Sequence, residues 1–211
     1  MDVKKCYMNK IILLLSCLFI PEMMMAQEAD RIMKSASEQF KKNKSVESNY
    51  TVTYIDGAKK RTATGGIIMQ KNKYVNLIEG TKTWYNGKTM WTYVKENDEV
   101  TITAPEDNEM MTNNPYYFIN SYSKEYNAVL VSSAGKLYEL KLTPTKSSED
   151  VKYVTLKLLK NSYQPVSLSI VMKNSQMEIV LNSYKTKNSF KSSSFTFDKT
   201  KYPDAEIIDL R

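Results

Sequence analysis

The chain predicts a mainly β fold of the α+β class, about ten antiparallel strands in meander order with one leading helix and one helical insertion. Three observations carry this. From Val46 onward apolar residues recur at every second position, as in Tyr50, Val52 and Tyr54, the period of a strand with one buried face. Short turn signals at Asp56-Gly57, Asn86-Gly87, Ala134-Gly135 and Asn174-Ser175 separate the runs, and short connections force antiparallel neighbours. Helical spacing shows only ahead of the first strand and between the sixth and the seventh.

Residues 1–26 read as a cleaved signal peptide. Lys4, Lys5 and Lys10 flank an apolar run from Ile11 to Ile20, too short to span a bilayer and suited to a signal-peptide core. Cleavage between Ala26 and Gln27 would leave residues 27–211 as one domain. Met8 is an alternative start, and LLLSC ending at Cys17 an alternative, lipoprotein-type processing site. Both cysteines, Cys6 and Cys17, lie in this leader, and the chain has no histidine. That excludes a disulfide framework in the mature chain, zinc sites built on Cys, and every Ser-His or Cys-His catalytic pair. No cofactor and no metal are expected. Losing three lysines and two acids with the leader takes the formal charge from +7 to +6. The lysines are spread rather than gathered in a stripe, so no nucleic-acid partner is expected.

Glu28 to Lys44 predicts an amphipathic helix, with Ile32, Met33, Ala36 and Phe40 on one face and Asn43 near its end. Strands follow around Tyr50 and from Thr62 to Met69, where Gly65-Gly66 predicts a bulge, a bend or a close backbone approach, curvature being preferred. Lys73 to Glu79 leads through Gly80 into WYNGKTMWTY, Trp84 to Tyr93, where Asn86-Gly87 predicts a two-residue hairpin turn. Trp84 and Trp91 are expected to pair across it. After Val100 to Ala104 the rhythm breaks for Pro105 to Ser123, with Asn114-Pro115 as a helix start. Strands resume as Asn127–Ser132, Lys136–Thr143, Lys152–Leu159, Pro165–Lys173 and Gln176–Tyr184, and Ser194 to Leu210 closes the chain without helical periodicity.

A meander this large with one apolar face must curl, either into a filled sandwich or into a half-barrel whose concave face is covered by helices. Alternation alone leaves both open, because Met and aromatic residues at alternating positions also make an ordinary core.

Five pieces in order resemble the periplasmic outer-membrane lipoprotein carrier LolA family: Thr62–Leu77, Tyr85–Ile102, Asn114–Tyr122, Tyr138–Thr145 and Phe195–Leu210. The YNGKTMWTY hairpin is the most specific of them. The resemblance implies a curved, unclosed antiparallel β-barrel with a helical lid, and a monomer. It implies acylated lipoproteins as cargo, an inner-membrane donor complex and an outer-membrane acceptor as partners, and no enzymatic activity. In the family a K-R-P turn is tied to lid closure and transfer; here it reads Gln70-Lys71-Asn72, so Lys71 stands where Arg would, without the planar fork of a guanidinium.

On this reading the cargo is held from the sheet by Tyr50, Val52, Leu77, Met90, Ile102, Leu140, Leu156, Ile170 and Ile179. Met33, Phe40, Phe118 and Ile119 contribute from the helices. The faces follow strand parity, and a slip of one residue exchanges a strand's whole set. An envelope lipid-binding sensor or adaptor of the same shape, with no transfer role, is the alternative. Glu96, Asp98 and Glu99 form the best carboxylate cluster for an enzyme, but their place in a turn favours solvated charge.

Overall fold

The computed structural model describes residues 25–105, 110–111, 113–146, 151–187 and 189–211. The expected leader up to residue 24 lies outside the described residues. Helix α1 covers residues 25–42, and Asn43 closes it with its backbone N–H on the carbonyl of Phe40. A first meander follows: β1 (Ser45–Asp56), β2 (Lys59–Gln70), β3 (Lys73–Ile78), β4 (Thr81–Tyr85), β5 (Met90–Val94) and β6 (Glu99–Thr103). Helix α2 (Tyr117–Glu125) leads into a second, β7 (Tyr126–Ser132), β8 (Leu137–Pro144), β9 (Val151–Leu159), β10 (Pro165–Met172) and β11 (Ser175–Leu181). Two short strands, β12 (Lys185–Lys187) and β13 (Glu206–Asp209), end the chain.

All thirteen strands join one sheet in the order β13-β6-β5-β4-β3-β2-β1-β11-β10-β9-β8-β7, with β12 also on β1. The first and last long strands of the two meanders, β1 and β11, therefore pair at the centre, Val52 opposite Ile179. Consequently β6 and β7, neighbours in sequence, lie toward opposite ends of the sheet. The described part of the chain between them packs on the inner face through Met111, Tyr116, Phe118 and Ile119, which is why this connection carries apolar residues. The sheet is not wholly antiparallel: β13 runs parallel to β6, with Ile207 opposite Val100. It thereby covers an edge that would otherwise present unpaired backbone groups.

Two expectations are corrected in detail. The Asn86-Gly87 connection is a four-residue loop between the closing pair Tyr85 and Met90. Asn86 Oδ1 accepts the backbone N–H groups of Lys88 and Thr89 at 3.0 and 2.9 Å, so the Asn side chain organises the turn. At Gly65-Gly66 the pairing with β1 and β3 runs on without a shift. Close approach, not a bulge, is what Gly65 provides, since a Cβ there would stand 2.6 Å from the Tyr50 ring.

Each face of the sheet carries an apolar cluster. On the inner face, Val46, Tyr50, Val52, Ile67, Met69, Leu140, Leu142, Leu156 and Ile170 pack with Ala29, Ile32, Met33 and Phe40 of α1 and with Tyr116, Phe118 and Ile119 of the crossover. On the outer face, Val75 and Trp84 bury against Phe195, with Trp91, Tyr93, Phe190, Phe197 and Tyr202 around them. Trp84 and Trp91 are indeed opposite one another. The aromatic hairpin thus has the C-terminal segment packed on it, with Trp84 edge-on to Phe197 and Tyr202 at 5.6 and 5.7 Å.

Candidate functional site

The inner face gathers eleven of the thirteen residues expected to line a cavity. Met33, Phe40, Tyr50, Val52, Met90, Phe118, Ile119, Leu140, Leu156, Ile170 and Ile179 are all buried in one apolar cluster. Two fall on the other face. Leu77 is 51 % exposed, and Ile102 pairs with Trp91 on the outer surface. In β3 the physical cause is that both sides carry apolar residues, whereas β6 alternates cleanly but with its apolar set, Val100 and Ile102, on the outer face and Thr101 and Thr103 on the inner one. Tyr74 and Asn76 point inward while Val75 meets the C-terminal segment, so alternation in KYVNLI carries no unique parity.

The inner face is covered rather than open. Among the described residues, one unfilled space is a cavity of about 230 Å³ between sheet and crossover, lined by Tyr50, Val52, Tyr54, Asn76, Ile78, Asn113, Pro115, Met177 and Ile179. A second space of about 450 Å³ opens at the C-terminal end of α1, between Phe40, Val46, Met69 and the β2–β3 turn. Lys71 sits in that turn with φ 58° and lines this mouth together with Lys41 and Asn72. Its side chain is exposed and makes no hydrogen bond or ion pair to the helices among the described residues.

The crossover is instead tied down by a tyrosine that nothing in the sequence marks as a latch. Tyr116 stacks on Phe40 of α1 with ring centroids 5.3 Å apart, and its hydroxyl donates to Ser48 Oγ of β1 at 2.7 Å. Ser48 in turn donates to the carbonyl of Ser183. Asn43 donates to the Tyr184 hydroxyl at 2.8 Å, and the Tyr184 ring lies edge-on to Tyr116 at 6.1 Å. Asn114, expected as a cap, accepts the Tyr116 N–H at 2.9 Å and so fixes the turn that aims this ring inward. Deeper in, Tyr50 donates to Asn76 Oδ1 at 2.7 Å. Burial pushes the Tyr50 hydroxyl up to about 12, partly offset by that bond, and raises Tyr116 as well. No signal of spacing marks the Tyr116–Ser48, Ser48–Ser183 and Asn43–Tyr184 bonds in the sequence, because each joins segments far apart in the chain.

Chemically the chamber offers hydrocarbon, phenols and amides. The carboxylate cluster lies elsewhere, in the β5–β6 turn and the start of β6: Asp98 accepts from the Tyr93 hydroxyl at 3.0 Å, and Glu99 from Thr101 at 3.3 Å. Among the described residues, no helix is long and apolar enough to cross a membrane.

No curated protein matches this chain. Among solved structures it is similar to an uncharacterized conserved protein of Thermus thermophilus, at 11 % identity and a TM-score of 0.55, covering 86 % of this chain and 99 % of that one. It is also similar to a LolA superfamily protein of Nitrosomonas europaea at 12 % identity, with 81 % and 98 % covered and a TM-score of 0.45. A DUF1329 family protein of Desulfovibrio piger gives 14 % identity, 80 % and 97 % coverage and a TM-score of 0.49. At such identities the likeness concerns the fold. The profile of the outer membrane lipoprotein carrier protein LolA family, however, matches residues 23–176, from α1 into β11, and on that extent of match this chain belongs to the LolA family.

Proposed function

We propose that this protein is a non-enzymatic periplasmic carrier. It shields the acyl chains of lipoproteins between an inner-membrane donor and an outer-membrane acceptor. The observation that carries the reading is the construction of the inner face: a continuous apolar surface covered by helices that belong to neither meander. Those helices make no ladder with the sheet, so displacing them breaks side-chain contacts and a few hydrogen bonds while every strand stays paired.

The magnitudes favour exchange. Each acyl methylene moved out of water is worth about 0.8 kcal/mol, so ten of them supply about 8 kcal/mol. A neutral hydrogen bond such as Tyr116 to Ser48 contributes about 1 kcal/mol net. The cavity of about 230 Å³ falls below the usual size of a ligand pocket, roughly 300–1,000 Å³. The space of about 450 Å³ at the end of α1 admits the first part of a chain. To go deeper, cargo lifts the crossover or α1, so that hydrocarbon takes the place of Phe40, Phe118 and Ile119 against the strands. Such a carrier needs no catalytic group. The mouth between Phe40, Met69 and Lys71 is where we place the first contact with an acyl chain.

Native mass spectrometry of the full protein purified from a Gram-negative envelope that makes acylated lipoproteins tests this. The expected result is a population heavier by an acylated species, released by detergent. A single unmodified mass, together with no uptake of a triacylated lipopeptide in vitro, would overturn it.

A further inference from the structure

The outer face carries a second recess that the inner chamber does not explain. A row of residues runs across the strands there: Asn49 opposite Gly66, Gly66 opposite Leu77, Leu77 opposite Lys82, and Lys82 opposite Tyr93. The C-terminal segment covers the neighbouring row through Val75 and Trp84, with Tyr202 packed at that cluster. Tyr202 lies against Tyr93 with centroids 4.6 Å apart. Beyond that aromatic wall the surface drops into a trough of about 800 Å³ whose lining includes Gly66, Leu77, Lys82 and Lys95.

Gly66 makes the trough. Unlike Gly65, its site is not filled from the core: a Cβ there would meet only Asn49 Oδ1 at 3.2 Å and the Ser48 carbonyl at 3.9 Å. A glycine in mid-strand costs roughly 0.5–1 kcal/mol relative to alanine, and an interior strand glycine often marks close approach by a ligand. Beside it Leu77 is half exposed, an apolar floor facing solvent.

The charge is one-sided. Glu79 lines the trough but is paired with Arg61. Among the described residues no carboxylate lies within ion-pair distance of Lys82 or Lys95. Lys82 is partly buried, its ammonium 4.8 Å over the Trp84 ring, and burial together with Lys201 lowers its pKa. An anion beside it would relieve both effects. An apolar floor ending at two ammonium groups without counter-ions matches a molecule with a hydrocarbon chain and a negative head.

We propose that this trough binds a monomeric anionic amphiphile, an alkyl phosphate or alkyl carboxylate, with its chain over Gly66 and Leu77 and its head between Lys82 and Lys95. The trough borders the inner cavity at Tyr50 and Ile78, whereas Gly66, Leu77, Lys82 and Lys95 line the trough and not that cavity. Both tryptophans stand on the outer face beside it, so they report on this site.

The test is titration of the full protein with dodecyl phosphate below its micelle concentration, followed by calorimetry and tryptophan fluorescence. Saturable binding with a change in emission is expected, weakened at least tenfold by the double change Lys82→Gln and Lys95→Gln and by Gly66→Leu. Inorganic phosphate and dodecyl maltoside should each bind at least tenfold more weakly, since each lacks one half of the match. Near-ultraviolet circular dichroism checks folding, and the lysine pair, of which Lys95 is exposed and Lys82 only partly buried, keeps the test meaningful if Gly66→Leu misfolds. Binding that all these variants leave unchanged places the ligand in the inner chamber and overturns the proposal. So does equal binding of inorganic phosphate, binding to phosphatidylglycerol vesicles without binding of the monomer, or no binding at all.

Discussion

The Tyr116 hydroxyl donates to Ser48 Oγ at 2.7 Å, joining the crossover between the two meanders to the central strand of the sheet. The same ring is stacked on α1, so one side chain ties the turn that leads into α2 to both β1 and the first helix. Tyr116→Phe keeps the stack and leaves Ser48 its own acceptor on Ser183, so the change isolates the hydrogen bond. A loss of about 1 kcal/mol in urea unfolding is expected. Amide exchange should quicken selectively in α2, with β8 to β10 unchanged. Uniform acceleration through the sheet would show that the bond supports the whole fold and not the cover.

The buried phenols also set a pH dependence. Tyr50, with its hydroxyl near 12, and Tyr116, also raised by burial, are neutral in the folded state and ionise more easily once unfolded, near pH 10. Their contribution is present in full below pH 10 and is lost as pH rises through the folded values. For Tyr50 the loss is roughly 2 to 3 kcal/mol by about pH 12. The chain has no histidine, so stability should be nearly level from pH 6 to 8. Urea midpoints at about pH 6, 7, 8, 9 and 11 check this, and a steep change between pH 6 and 8 would contradict it.

Parity was legible where one face of a strand meets solvent. In β8 the polar Glu139 and Lys141 alternate with the buried Leu140 and Leu142, and in β11 Glu178 separates Met177 from Ile179, so hydrocarbon marks the inner side. In β3 the outer face also carries Val75 under the C-terminal segment, so Leu77 could not be assigned by alternation, and in β6 the alternation is clean but its apolar set, Val100 and Ile102, lies on the outer side. The β1–β11 pairing and the Tyr116–Ser48 bond were not legible for another reason. Each joins residues over sixty positions apart, and local periodicity holds no record of which distant segments meet.

The outer aromatic cluster should hold the C-terminal segment to the sheet. Phe195 is fully buried against Val75 and Trp84, so Phe195→Ala should cost about 3 to 5 kcal/mol. Tryptophan emission should shift to the red, because both tryptophans lie on that face. An unchanged spectrum with the full stability loss would mean that the segment stays docked and only a cavity has formed.

The glycine pair gives the sharpest contrast available in a single strand. A Cβ at position 65 would stand 2.6 Å from both Cζ and Oη of Tyr50 and 3.0 Å from the Leu77 carbonyl oxygen. The ring cannot retreat without cost, since its hydroxyl is bonded to buried Asn76. Gly65→Ala should therefore destabilise by about 1 to 3 kcal/mol, the range for overpacking, and should disturb the Tyr50–Asn76 bond. Gly66→Ala faces the open trough and has only the Asn49 amide to move, and alanine restricts the unfolded chain more than glycine does. Its effect should lie within about 1 kcal/mol of zero. Thermal unfolding of the two variants side by side decides the matter, and an equal loss at both positions would mean that the strand requires the glycines for its backbone rather than for what lies against each face.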